Sequence, residues 1–157
     1  MKLTTRHFGE IDVDESKIIT FEEGLPGFEH LRQFVLFHNE SAADDTEVTL
    51  HTSGVFLWLQ SLDDGEVSFI LLNTFLFMPG YSPELEEGAL DSLGDFAEDD
   101  MIVRNIAVVP EKLENMTVNL CAPVVINAGT QMGKQVLATN KDYSVRHRIM
   151  QESRDVS

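Results

Sequence analysis

The 157-residue sequence predicts an all-β fold: a small antiparallel β-barrel-like domain with one or two short helical segments. Apolar residues recur with a period of two over most of the chain, as half-buried strands require. Short strand-like runs are separated by turns rich in Gly, Pro, Asn and Asp. The alternation of strands with long amphipathic helices that marks a parallel α/β sheet does not occur.

The elements follow in order. "LTTRHFGEIDV" (3–13) reads as two short strands around Gly9-Glu10, a hairpin. "KIITF" (17–21) is β-branched and follows the polar turn "DES". "FEEGLPGFEH" (21–30) cannot continue that strand, because Gly24, Pro26 and Gly27 interrupt it. It nevertheless carries Leu25 and Phe28. The glycines supply unusual backbone angles and Pro26 stiffens the turn. Phe28 is therefore expected to fold back as a plug at one end of the barrel with Leu25 beside it; contact with a partner is the alternative role. "RQFVLFH" (32–38) resumes as a strand, and "NESAADDTE" (39–47) is a polar loop.

"VFLWLQSL" (55–62) and "EVSFILLN" (66–73) flank Asp63-Asp64-Gly65, the clearest hairpin, with Asp-Gly expected to supply a positive φ. Both arms are apolar on both faces, which predicts central strands. Residues 82–100 hold eight acidic side chains and no basic one. Ser82 is a helix cap in this reading, with Pro83 first and Glu84 and Glu86 in the first turn. Gly88 and Gly94 limit the segment to one or two helical turns, with Leu85, Leu90, Leu93 and Phe96 inward. "MIVRNIAVVP" (101–110) and "MTVNLCAPVVIN" (116–127) are strands, the latter an edge or bulged at Pro123. A turn at 127–129 leads to a last strand near 135–138. One barrel domain over 1–143 and a frayed or disordered tail over 144–157 complete the expected organisation.

A chain of this length buries roughly 68–70% of the surface its unfolded form exposes, enough for one core. Eleven Lys and Arg against 27 Asp and Glu give a net charge of −16. Nucleic-acid affinity rests on cations that neutralise phosphates, so direct binding to RNA or DNA is disfavoured, as is docking on an anionic membrane. A basic protein partner would be attracted and its encounter accelerated; plain solubility is the other use of such a charge. The single cysteine, Cys121, cannot form an internal disulfide and suits a reducing cytoplasm. No signal peptide and no membrane span is read in the sequence.

Motifs for catalysis are missing: there is no G-x-S-x-G, no P-loop and no G-x-G-x-x-G. His7, His30, His38, His51 and His147 are scattered without metal-ligand spacing, and the acidic run lacks the D-x-D-x-D-G order of a calcium loop. Trp58 and Cys121 lie in apolar strands and read as core residues. Asn119 needs a partner if buried, and Asn127 serves the turn with Gly129.

Read together, "FGEIDVDESKIITFEEGLPGFEHLRQFVLF", "FLWLQSLDDGEVSFILLN", "MPGYSPEL", "TVNLCAPVVIN" and "GKQVLATNKDYSVRHRI" resemble the flagellar assembly factor FliW family, from Phe8 to about Ile149. The resemblance implies a cytoplasmic β-barrel with no enzymatic activity; no cofactor or metal is expected. It implies binding to flagellin before export, as a chaperone does, and to CsrA, a dimeric RNA-binding translational repressor of flagellin synthesis. Partner switching would follow: flagellin occupies the protein while it accumulates, and its secretion frees the protein to lift repression. For partner contacts the exposed acids Asp63, Asp64, Glu84, Glu86 and Glu87 are the candidates, with Tyr81 as an aromatic anchor beside them. Each has an ordinary turn or surface role as its alternative. Two other functions compete: a small hydrolase or sugar-binding barrel with an internal ligand cavity, and a nucleic-acid mimic that blocks an RNA-binding groove with spaced carboxylates.

Overall fold

The computed structural model describes residues 2–6, 8–38, 55–97 and 99–149. Where the sequence alternates, it forms strands: β1 (Lys2–Thr5), β2 (Gly9–Asp12), β3 (Ile19–Thr20), β4 (Gln33–His38), β5 (Phe56–Ser61), β6 (Ser68–Leu72), β7 (Met101–Val108), β8 (Thr117–Val118), β9 (Val124–Asn127), β10 (Met132–Gln135) and β11 (His147–Arg148). Where Gly and Pro intervene it forms turns, with single 3-10 turns at Glu15–Lys17, Thr74–Leu76, Asp91–Leu93 and Leu113–Asn115. The Asp14 side chain caps the first of these by accepting the Ser16 N–H and hydroxyl, which holds its carboxyl below the usual range.

Seven strands close a barrel in the order β7-β6-β5-β4-β3-β10-β9, with β9 pairing back onto β7. β8 and β11 extend β7 beyond the ring, and β1–β2 is a separate hairpin. The ring is antiparallel except at β3–β10, which run parallel with Met132 opposite Thr20. That one parallel pair closes the wall between two strands far apart in the chain.

Alternation decides which side chains fill the barrel. Ile19, Phe34, Leu57, Leu59, Leu71, Ile102, Val124 and Ile126 point inward with Phe21 and Leu25. The Phe21 and Phe34 rings meet edge to face at 5.2 Å. A Cβ on Gly133 would lie 2.5 Å from the Phe21 ring, so glycine there leaves room for the ring. Each such buried side chain contributes about 1.5–3 kcal/mol of hydrophobic stabilisation.

Three layers cover the outer wall. The β1–β2 hairpin packs Leu3 and Ile11 on Val35, Phe37 and Leu62. Tyr81, Met116, Leu120 and Ile149 cover Leu72 and Ala107 on β6 and β7. The acidic segment lays Leu85, Ala89, Leu90, Leu93 and Phe96 on Val125, Val136 and Met132, which fulfils the inward orientation expected for its apolar residues.

Several local expectations are corrected. The β1–β2 turn falls before Gly9, which pairs with Thr5 at the head of β2. Gly65 does not have a positive φ; it is glycine because a Cβ would lie 2.0 Å from the Thr4 carbonyl oxygen. Ser82 caps no helix, since residues 81–86 form no regular secondary structure and its N–H donates to the Tyr143 hydroxyl. The strand expected over 116–127 breaks into β8 and β9 around Pro123, whose carbonyl accepts the Val136 N–H. The following strand is β10, at 132–135. The tail expected from 144 lies partly inside the fold: His147 and Arg148 pair with β8, and Ile149 is fully buried. The polar loop at 39–47, His7, His51 and residues 150–157 lie outside the described residues.

Candidate functional site

The β5–β6 turn is built by its own polar side chains. The Ser61 hydroxyl accepts the N–H groups of Asp63 (3.1 Å) and Asp64 (3.0 Å). Asp64 accepts the Glu66 N–H at 3.0 Å. The Asp63 carboxylate reaches across to β4 and accepts the N–H groups of Arg32 (2.7 Å) and Gln33 (3.0 Å). Gln60, fully buried, donates to the carbonyls of Ser61, Gly65 and Val67. Asp63 is thus exposed, yet its oxygen is committed to the fold.

The 21–31 loop lies at the same end of the barrel. Gly24 (φ 65°) and Gly27 (φ 85°) adopt left-handed backbone, and a Cβ on Gly24 would sit 2.6 Å from the Glu29 Cα. The turn between them returns the chain, with the Phe28 N–H donating to Leu25 O at 2.7 Å. Leu25, 1% exposed, is the plug. Phe28 is half-buried and stands edge to face on Phe69 at 5.2 Å. Phe28 folds back onto the core as expected, but Leu25 is the more deeply buried of the two. Glu29 accepts the Gly27 N–H, which lowers its pKa.

Tyr81 is not an exposed anchor. It is 4% exposed, and its hydroxyl donates to Leu120 O (2.7 Å) while accepting from the Asn105 amide (2.9 Å). Asn105 in turn donates to Asn119 O and accepts the Thr74 hydroxyl at 2.6 Å. Burial pushes the Tyr81 phenol up to about 12. Through Asn105 the hydroxyl ties the 74–81 segment to β7.

Glu84, Glu86 and Glu87 are exposed on a strap that runs along β10 and β9. The strap is tied at one end by Glu84 N–H donating to Asn140 and by Thr139 N–H donating to Glu84 O. It is tied at the other by Asn127, fully buried, whose amide donates to the carbonyls of Leu93 (2.9 Å) and Asp95 (3.0 Å). Asn127 also accepts the Gly129 N–H, the turn role expected of it. Lys134 donates to Ala89 O and lies 3.6 Å from Glu23. The two groups of expected contact residues are not brought together. Asp63 and Asp64 belong to the β5–β6 turn and the glutamates to the β9–β10 flank, with β7 between them one way round the ring and β3 and β4 the other.

Sequence reasoning missed Asn105, Gln60 and Arg104, the last buried on the inward register of β7, where desolvation lowers its pKa. Their single signal is a polar residue inside an apolar strand. Asn119, singled out for that reason, accepts the N–H groups of Cys121 and Ala122. Cys121 donates its thiol to Tyr143 O. A recess of about 260 Å³ opens at the opposite barrel mouth beside Ile19, Leu36 and Ile126. Among the described residues no cluster of His, Cys, Asp or Glu is placed to hold a metal, and no helix is long and apolar enough to cross a membrane.

These features define a class: a small closed β-barrel filled by its own side chains, with carboxylates on its turns and flank. The FliW protein family model matches residues 2–149. The flagellar assembly factor FliW of Alkaliphilus metalliredigens is 38% identical over 97% of this chain and 88% of its own length. That of Geobacillus sp. (strain WCH70) is 38% identical over 97% of both, and that of Clostridium novyi 36% over 97% and 99%. A crystal structure of the flagellar assembly factor FliW superposes with a TM-score of 0.81 at 34% identity, covering 95% of this chain and 96% of that one. The chain belongs to the FliW family of flagellar assembly factors.

Proposed function

We propose that this chain acts in the cytoplasm as a non-enzymatic partner switch that binds flagellin and, in its absence, the RNA-binding repressor CsrA. One observation carries the reading: a FliW-family barrel bears a net charge of −16, the sign that attracts an RNA-binding protein and repels RNA. The filled interior supports a scaffold over a hollow hydrolase or sugar-binding barrel, since Phe21, Phe34, Leu57, Leu59 and Leu71 occupy the space a ligand would need. Electrostatics sets the encounter rate, and desolvated apolar contacts set the lifetime of the complex.

Association kinetics with immobilised CsrA test this. The on-rate is expected to fall steeply as salt rises, with a smaller change in off-rate. The chain should also lower CsrA affinity for its message by a factor that saturates, as coupling between separate sites requires. A salt-independent on-rate, or no binding to CsrA at micromolar concentration, contradicts the reading. Inhibition of RNA binding that rises without limit points instead to a nucleic-acid mimic.

A further inference from the structure

Beside the strap, where β7 begins, a groove of about 380 Å³ is lined by Leu90, Asp91, Gly94, Asp95, Phe96 and Met101. Met101 is 46% exposed, whereas its strand neighbour Ile102 is buried in the barrel. Leu90 and Phe96 are only partly covered by the layer beneath. The apolar floor is bordered by two carboxylates that have no ion-pair partner among the described residues, while the nearby Lys134 is held by Ala89 O and Glu23.

Hydrogen bonds from the layer beneath hold the wall of the groove in place. Asn127 grips the carbonyls of Leu93 and Asp95 from below, and the Thr130 hydroxyl donates to Leu93 O at 2.8 Å. Gly94 turns the wall with φ 79°, a conformation that side chains rarely adopt. Preorganisation of this kind reduces the ordering cost of binding.

We infer that this groove docks a short basic amphipathic segment of a protein partner. One apolar side chain of that segment rests on Leu90, Phe96 and Met101, and flanking Lys or Arg residues pair with Asp91 and Asp95. Charge complementarity selects the occupant. A neutral apolar segment would strip water from both carboxylates without return, and an acidic one would be repelled. The assignment rests on the partner-switch reading and names the surface that takes the cationic member of the pair.

The test uses the full chain with purified CsrA and flagellin as probes. The variants are Asp91→Lys/Asp95→Lys, Met101→Ser and a charge-matched control, Glu10→Lys/Glu15→Lys, on the β1–β2 side. All replaced side chains are exposed, so melting temperatures should stay with that of the wild type. The double Asp variant is expected to weaken CsrA binding roughly tenfold or more. Met101→Ser should weaken it by a smaller factor expressed in the off-rate, and the control should change it by less than about threefold. Flagellin binding should survive in all three. A wild-type chain that binds CsrA while the Asp variant binds equally well overturns the groove alone, as does equal weakening by the control or selective loss of flagellin. A wild-type chain that ignores CsrA overturns the partner-switch reading and the groove's assignment with it.

Discussion

The Asp63 carboxylate accepts the backbone N–H of Arg32 at 2.7 Å, fastening the β5–β6 turn to the start of β4. A residue whose sequence context marks it as a surface acid thus has a structural duty, shared with the Gln33 N–H at 3.0 Å. Asp63→Ala should lower stability by about 1 kcal/mol, because water can replace an exposed acceptor only in part. Asp63→Asn keeps an oxygen in place and should lower it by less. Urea denaturation of both variants measures the order; an Ala variant as stable as the wild type would remove the clamp from the account.

Gly65 receives the underside of β1. Its carbonyl accepts the Arg6 N–H at 3.0 Å, and a Cβ would press to 2.0 Å from Thr4 O. Gly65→Ala must push backbone from backbone, so we expect about 2–4 kcal/mol of destabilisation. Amides of β1 and β2 should lose hydrogen-exchange protection before those of the barrel. Loss spread evenly over the barrel would show that the hairpin does not respond as a separate layer.

Leu25 and Phe28 separate by burial. Leu25→Ala opens a cavity in the core and should cost about 2–5 kcal/mol. Phe28→Ala, from a half-buried ring against Phe69, should cost about 2 kcal/mol, near half the usual value for a fully buried Phe. Measuring flagellin binding alongside stability distinguishes the two uses of Phe28. Unchanged stability with binding lost would assign Phe28 to the partner and not to the fold.

Tyr81 makes the protein sensitive to high pH. Its folded pKa of about 12 lies above the ordinary value of 10, so the folded state holds the proton more tightly. The resulting stabilisation is fully present below pH 10 and is lost between pH 10 and about 12, on the order of 2–3 kcal/mol. Tyr81→Phe leaves Asn105 and Leu120 O short of a partner and should cost about 1–3 kcal/mol at neutral pH. It should also flatten the alkaline slope. A Tyr81→Phe variant with the same slope as the wild type would place that titration elsewhere.

The parts of this fold legible in the sequence are those governed by local pattern. The β5–β6 hairpin was readable because both its arms are apolar on both faces, and Leu85, Leu90, Leu93 and Phe96 because nothing else in an acidic run can be buried. What escaped depends on chain brought from far away. Gly65 is constrained by Thr4 only once β1–β2 has docked. Closure through the parallel β3–β10 pair joins residues 20 and 132, which no periodicity connects. Tyr81 stands beside Ser82, Pro83 and Glu84 and so reads as surface, yet Asn105 and Leu120 take its hydroxyl into the interior. At the candidate site, the acids were legible by charge. The groove between the strap and Met101 was not, because its wall is set by Asn127 reaching across to Leu93 and Asp95.

A titration containing this chain, flagellin and CsrA together tests the proposed switch most directly, with the surviving pair read by native mass spectrometry. With flagellin in excess the account predicts a flagellin complex and free CsrA; with flagellin removed, a complex of the chain with CsrA. A CsrA complex that persists undiminished under excess flagellin, or a chain that remains alone in both mixtures, would contradict it.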